Sequence, residues 1–334
     1  MPIGIQGFVM FGKNASNVLT SPATTGNIAS TVGLHTRPFA ESFQDNYDRY
    51  DTANMQGSLY EPDDTTGILR VGGGISLAAH PEQIGHFLFG ALGSNGGTTS
   101  VVSGFYLNSF KNITSDVHSS AALSPYTIEV YRPEISNGTT SYVYYGMCTT
   151  KLGISVAVNK PVMIDAEYIG YDSTQLTRAG TSSWVFPNSP TYPYRFHQTS
   201  ISVNGTGYGH MESFKIDIDN QLVGIPTLNA TQLIRRISRS AAPMIRFNGT
   251  LALDNYTDYT SFKNQTEMAI TLSMFQANSY RCDITLPRCV ITKHSAPISG
   301  RDRIMASFEG KAFYSDSNAY TIVATLSSVR SAYT

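Results

Sequence analysis

Lys151-Leu152-Gly153-Ile154-Ser155-Val156-Ala157-Val158 runs straight into Asn159-Lys160-Pro161, and this joining of a pattern to a stop decides the fold class. Leu152, Ile154, Val156 and Val158 recur at every second position, which in an extended chain sets them on one face and leaves Lys151, Gly153, Ser155 and Ala157 on the other. Asn-Lys-Pro is turn chemistry. The stretch therefore reads as one arm of an antiparallel hairpin, half buried and half wet. The same texture returns where Phe214, Ile216 and Ile218 alternate with Lys215, Asp217 and Asp219.

Outward from this hairpin, one order of elements is written twice. The first half has a strand, Gly72-Gly73-Gly74-Ile75-Ser76-Leu77, a helical stretch from His80 to Gly93, the strand Tyr126-Thr127-Ile128-Glu129-Val130, and the hairpin through Asn159. In the second half, Arg246 to Leu253 leads into a mixed stretch, Tyr259 to Met274, then Arg281 to Pro287 and strands around Ile304 to Phe313 and Tyr320 to Leu326. Side-chain identity between the halves is low, so the repeat is one of element order. The expected fold is mainly β: two tandem antiparallel β-sandwich units, each with a flanking helix or helical turn and long loops. Residues 1–173 form the first unit with an N-terminal arm, 174–195 a linker, and 196–334 the second unit. The linker is read from Gly180, Pro187, Pro190 and Pro193 around the single tryptophan, Trp184.

The helix is placed at Pro81 to Leu92, with Pro at its first position, Ile84, Phe87, Leu88 and Leu92 on one side, and Gly93 as its stop. Gly85 and Gly90 each weaken it by about 1 kcal/mol relative to Ala, so docking on a sheet must supply its stability. The arm from Gly7 to Phe39 and the stretch from Leu34 to Asp64 show no period. Both are expected to become ordered only against a partner.

Composition narrows function. The 334 residues are 41% hydrophobic, enough for a core, but only 14% charged, well below the usual quarter or so. The surface is thus polar without much formal charge. A net charge of −1 offers no basic stripe for sequence-specific nucleic-acid binding. The chain has no apolar run long enough to cross a membrane and no signal-peptide pattern at its start, which implies a soluble protein made in a cytoplasm.

Catalytic vocabulary is sparse. His80 and His86 flank Glu82 at a spacing that puts the rings on different helix faces, and Gly72-Gly73-Gly74 lacks the Gly-Lys-Ser/Thr of a phosphate loop. These glycines read instead as a bulge or a close backbone approach. Cys148, Cys282 and Cys289 make no disulfide framework. On a continuous strand the odd spacing of Cys282 and Cys289 places them on opposite faces, against a zinc site with His294. Asp217 and Asp219 read as a solvated strand face rather than calcium ligands. Arg235, Arg236 and Arg239 read as a subunit-contact patch in preference to a phosphate site. No catalytic group, metal or cofactor is expected.

These pieces together resemble the tail tube proteins of long-tailed, siphovirus-type bacteriophages. The likeness lies in the irregular arm, the passage ending Phe87-Leu88-Phe89-Gly90-Ala91-Leu92-Gly93, the strand Lys215-Ile216-Asp217-Ile218-Asp219-Asn220, Ile284-Thr285-Leu286-Pro287, Phe308-Glu309-Gly310 and Thr321-Ile322-Val323-Ala324-Thr325. The resemblance implies a structural virion protein made in the host cytoplasm, whose subunits join edge to edge into rings with an inner β-barrel. Rings stack into a hollow tube, the conduit for double-stranded DNA ejection. It also implies a tape-measure protein, a tail terminator and distal tail proteins as partners, with no membrane insertion. The doubled unit favours three subunits per ring over six. Asp165, Glu167, Asp217 and Asp219 are then expected to face the lumen and repel phosphates. The alternative is a carbohydrate-binding or adhesion module of a virion, built on Trp184, Tyr192 and Tyr194.

Overall fold

Two long strands, Thr140–Ala157 and Tyr280–Ser295, organise the chain, each beginning in one sheet and ending in another. The computed structural model describes residues 7–13, 34–51, 64–102, 104–113, 123–132, 140–177, 192–228, 231–253, 257–276, 280–298, 303–330 and 333. The first half supplies β1 (Phe8–Lys13), β2 (Leu34–Thr36), β3 (Ala40–Glu41), β4 (Gln44–Asp51), β5 (Asp64–Ala78), α1 (Ile84–Leu92), β6 (Gly93–Val102), β7 (Phe105–Asn112), β8 (Tyr126–Tyr131), β9 (Thr140–Ala157), β10 (Met163–Gly170) and β11 (Asp172–Thr177). The second supplies β12 (Thr199–Val203), β13 (Thr206–Gly207), β14 (Met211–Asp219), β15 (Leu222–Ile225), β16 (Arg236–Arg239), β17 (Met244–Ala252), α2 (Thr257–Lys263), β18 (Met268–Gln276), β19 (Tyr280–Ser295), β20 (Met305–Ala312) and β21 (Val323–Ser328).

The two halves share one antiparallel pairing pattern. In the first, the leading part of β9 lies between β8 and β11, with β1 beyond β8; its trailing part pairs with β10, then β5, then β4. In the second, the leading part of β19 lies between β18 and β21, with β12 beyond β18; its trailing part pairs with β20, then β17, then β14. Even the irregularities match. A one-residue bulge at Thr150 stands beside Lys151 opposite Glu167, and one at Thr292 stands beside Lys293 opposite Glu309. As many residues separate Tyr126 from Glu167 as separate Met268 from Glu309.

Within the first half the two sheets pack face to face. Phe11 on β1 meets Tyr168 on β10 at 6.1 Å between ring centroids, and Phe43 meets Tyr144 on β9 at 5.6 Å. The buried side chains of both halves form one large cluster because the halves are also hydrogen-bonded neighbours. β9 pairs with β14 from Lys151↔Asp219 to Ala157↔Ser213, fusing two four-stranded sheets into a run β4-β5-β10-β9-β14-β17-β20-β19. The β6–β7 hairpin, inserted only in the first half, adds to the other sheet of the second half through β21. Strand β11 and the bonds of Tyr194 to Ala79 and Val162, both 2.9 Å, trim the expected linker at each end. Trp184 lies outside the described residues.

Helix α1 starts three residues later than expected, because residues 81–83 form a turn whose Gln83 and Ile84 N–H groups both donate to the His80 carbonyl at 2.9 Å. Gly93 ends it at φ 82°, as a left-handed cap. All of its residues are buried, so it sits inside the protein rather than across one sheet. Its glycines are contact points: a Cβ on Gly85 would meet Leu326 at 2.8 Å and collide with the Tyr333 ring, and one on Gly90 would meet Tyr126 at 2.7 Å.

Two expectations are corrected. The N-terminal arm is not irregular throughout, since Phe8–Lys13 is a core strand with Phe8, Val9, Met10 and Phe11 all buried. A strand buried on both faces carries no alternation to read. Residues 14–33 and 52–63 lie outside the described residues. Cys282 and Cys289 do not point to opposite faces; both are fully buried, because an extra residue in β19 between Leu286 and Cys289 shifts its phase against β18.

Candidate functional site

Opposite its buried side, the eight-stranded run presents one polar face whose members are fixed by register, since residues directly opposite in a ladder share a face. Asp165 stands opposite Gly153 and Ser76, and Glu167 opposite Lys151 and Gly74. Lys151 stands opposite Asp219, Gly153 opposite Asp217, and Ser155 opposite Lys215. Asp217 then faces Arg246, Lys215 faces Asn248, Asn248 faces Glu309, and Arg246 faces Lys311. Glu309 faces Lys293. The structure thus gathers Asp165, Glu167, Asp217 and Asp219 on one face.

Glu309 joins them, and sequence reading missed it. The signal that would have found it is the repeat, in which Glu309 occupies the place of Glu167. The cations were also underweighted: Lys151, Lys215, Arg246, Lys293 and Lys311 stand among the five carboxylates on this face, and Arg70, opposite Asn46, brings its own partner Asp48 at 2.8 Å. Lys151 pairs with Glu167 at 2.9 Å, Lys215 with Asp217 at 2.7 Å and Lys293 with Glu309 at 2.7 Å. The hydrogen bond to Glu167 holds the Lys151 ammonium above its usual range. Asp165 accepts from the Ser76 hydroxyl at 2.6 Å, and Asp219 from the Gln221 N–H at 2.9 Å. All three ion pairs are substantially exposed, so each contributes at most about 1 kcal/mol of stability. Their weight is electrostatic: the face they form carries many charges of both signs side by side.

The arginine cluster is placed elsewhere and is divided. β15 and β16 form a separate two-stranded sheet whose Leu222 and Ile237, with Ile234 just before β16, bury a second small core with Cys148 and Tyr171. Arg239 donates to the Ile113 carbonyl at 3.2 Å and belongs to the fold, whereas Arg235 and Arg236 are exposed.

Among the described residues, no group of three His, Cys, Asp or Glu is placed to hold a metal. Burial pushes the Cys148 and Cys289 thiols up to about 12, away from the reactive thiolate. Gly73 lets the chain cross closely, since a Cβ there would lie 2.7 Å from the Phe43 backbone nitrogen. Tyr194 is fully buried while Tyr192 is exposed beneath the Arg195 guanidinium, so Tyr194 contributes nothing to an aromatic platform for sugars. No helix among the described residues is long and apolar enough to cross a membrane.

A family model described as phage tail tube protein matches residues 6–312, and no curated protein matches the chain. The chain belongs to the phage tail tube protein family.

Proposed function

We propose that this protein polymerises as stacked rings of three subunits into the tail tube through which double-stranded DNA leaves the virion. The observation that carries the reading is the eight-stranded run built from two copies of one four-stranded sheet, ending in β4 on one side and the trailing part of β19 on the other. Unpaired edges invite further pairing, and closure into a barrel removes them. Three chains supply about twenty-four strands, which at ~4.8 Å spacing and ~40° tilt close at roughly 45–50 Å across the backbone. That opening admits a DNA duplex. The two halves act as the two ring units, their connection narrowed from the expected 174–195 to 178–193 by β11 and by the bonds of Tyr194. A ring of six subunits is the alternative, and the repeated pairing pattern favours three.

The polar face lines the lumen in this reading. Duplex DNA carries a charge every ~1.7 Å along its axis, and free lysines on the wall would hold it. Carboxylates set beside those lysines cancel the attraction, so DNA slides without settling. The sequence-based idea of simple repulsion is thereby refined to balance. Along the same family lines, the tape-measure protein occupies the tube during assembly, and terminator and distal tail proteins cap its ends.

Replacing Asp217 and Asp219 together by Lys leaves tubes able to assemble and slows genome ejection, most strongly at low salt, where screening is weakest. Ejection kinetics measured on virions containing the substituted tube decide the matter. Unchanged kinetics at low ionic strength remove the face from the lumen.

A further inference from the structure

We infer that the contact between neighbouring subunits copies the junction inside the chain: β19 of one subunit pairs with β4 of the next, Lys293 opposite Asn46, His294 opposite Asp45 and Ser295 opposite Gln44. The inference rests on the ring reading above and adds to it the two edges and their register.

The internal junction supplies the template. There the trailing part of β9 pairs with β14, Lys151 opposite Asp219, Leu152 opposite Ile218 and Gly153 opposite Asp217. Because β8, β9 and β10 match β18, β19 and β20 down to the bulges, and β4 pairs with β5 without a break over Gln44–Asn46 as β14 does with β17 over Asp217–Asp219, each residue of the junction has a counterpart. Lys293, His294 and Ser295 occupy the places of Lys151, Leu152 and Gly153, counted from the bulge at Thr292 and the Lys–Glu pair beside it. Gln44, Asp45 and Asn46 occupy the places of Asp217, Ile218 and Asp219: Gln44 faces Gly72 on β5 as Asp217 faces Arg246 on β17, and Gly72 and Arg246 are the matched positions two before Gly74 and Asn248, which face Glu167 and Glu309. Each chain therefore carries both halves of a junction that it makes once internally. Among the described residues no strand pairs with the outer edge of β4, and β18 leaves β19 at Cys289.

Three further observations point to a second copy as the occupant. The internal pair Leu152 and Ile218 is apolar and buried; at the matching places stand His294 and Asp45, so the two polar replacements meet each other. The His294 Nε2 is buried without a hydrogen-bond partner, its ring seated on Tyr259 at 5.8 Å, and an incoming carboxylate provides one. Ile298 matches Val156: the internal residue is 8% exposed beside β14, the terminal one 76%.

The junction is tested by a disulfide. Inside the chain, Asn220 donates to the Thr150 carbonyl at 2.8 Å and Val158 to the Glu212 carbonyl at 3.0 Å, which makes the intervening pair Asp217–Gly153 a non-hydrogen-bonded one, with its Cβ atoms close. The matching pair between subunits, Gln44→Cys with Ser295→Cys, suits disulfide geometry, and the three native thiols are buried. Oxidising assembled tubes of this double variant is expected to give covalent dimers and trimers on a non-reducing gel, with none from either single variant; assembly of the reduced double variant serves as the folding control. Cross-linking by Gln44→Cys with Lys293→Cys in preference overturns the register. Tubes of normal appearance with no 44–295 bond overturn the inference while leaving the ring reading intact. A parent chain that remains monomeric at every concentration overturns both.

Discussion

His86, set aside as a metal ligand by its spacing from His80, serves the fold. It is buried on α1 against the Tyr333 ring at 5.0 Å, and burial, assisted by the Arg330 guanidinium, pushes its imidazole down to about 3. A free imidazole titrates near 6.5. Between these values the unfolded chain binds a proton that the folded chain refuses, so the stability is whole above pH ~6.5 and is lost as pH falls towards 3. His86→Phe should lessen the stability difference between pH 7 and 4.5 by roughly 2–3 kcal/mol, read from urea unfolding at both pH values. Gly85 makes a second case. Helix propensity alone predicts that Gly85→Ala stabilises by about 1 kcal/mol, but the Leu326 and Tyr333 contacts leave no room for the methyl. Thermal and urea unfolding should show a net loss of about 1–3 kcal/mol. Residue-scale features of this kind were not legible in the sequence, because Cβ clearance and burial depend on neighbours distant along the chain. The carboxylates Asp165, Glu167, Asp217 and Asp219 were legible as one strand-face class, with Lys215 beside Asp217 on β14; the pairing of Glu167 with Lys151 on the adjacent strand was not, since it requires the register.

At the scale of elements, alternation served well wherever one face is wet, as in β10 and β14, whose burial patterns follow period two, and at the end of β9 from Ile154 to Ala157. It failed at β1, buried on both faces, and at β4, polar on both. The strand matching β8 is β18, which the sequence hid in a mixed stretch because the short helix α2 precedes it closely. Additional hairpins blurred the repeat further: among the described residues β6–β7 occurs only in the first half and β15–β16 only in the second. The position of β1 changes an expectation about truncation. Deleting residues 1–15 would leave a folded, non-polymerising protein if they were only an assembly arm. They include Val9 and Phe11, buried in the core and paired with β8, so the deletion should abolish cooperative unfolding in a circular dichroism melt. A sharp transition within a few degrees of the parent would contradict that role.

At the scale of the whole molecule, function follows from counting edges. Two fused copies of a four-stranded sheet leave two open ends, and in the proposed assembly identical chains close them by pairing head to tail in a ring. The doubled unit makes such a ring appear sixfold at low resolution while only threefold operators relate identical chains. A cryo-electron-microscopy reconstruction of tubes assembled from the purified protein, refined without imposed symmetry, tests this most directly. The account predicts three subunits per ring around a twenty-four-stranded barrel, with the β6–β7 and β15–β16 hairpins alternating from unit to unit around the wall. Six chains per ring, with successive units identical, would contradict it.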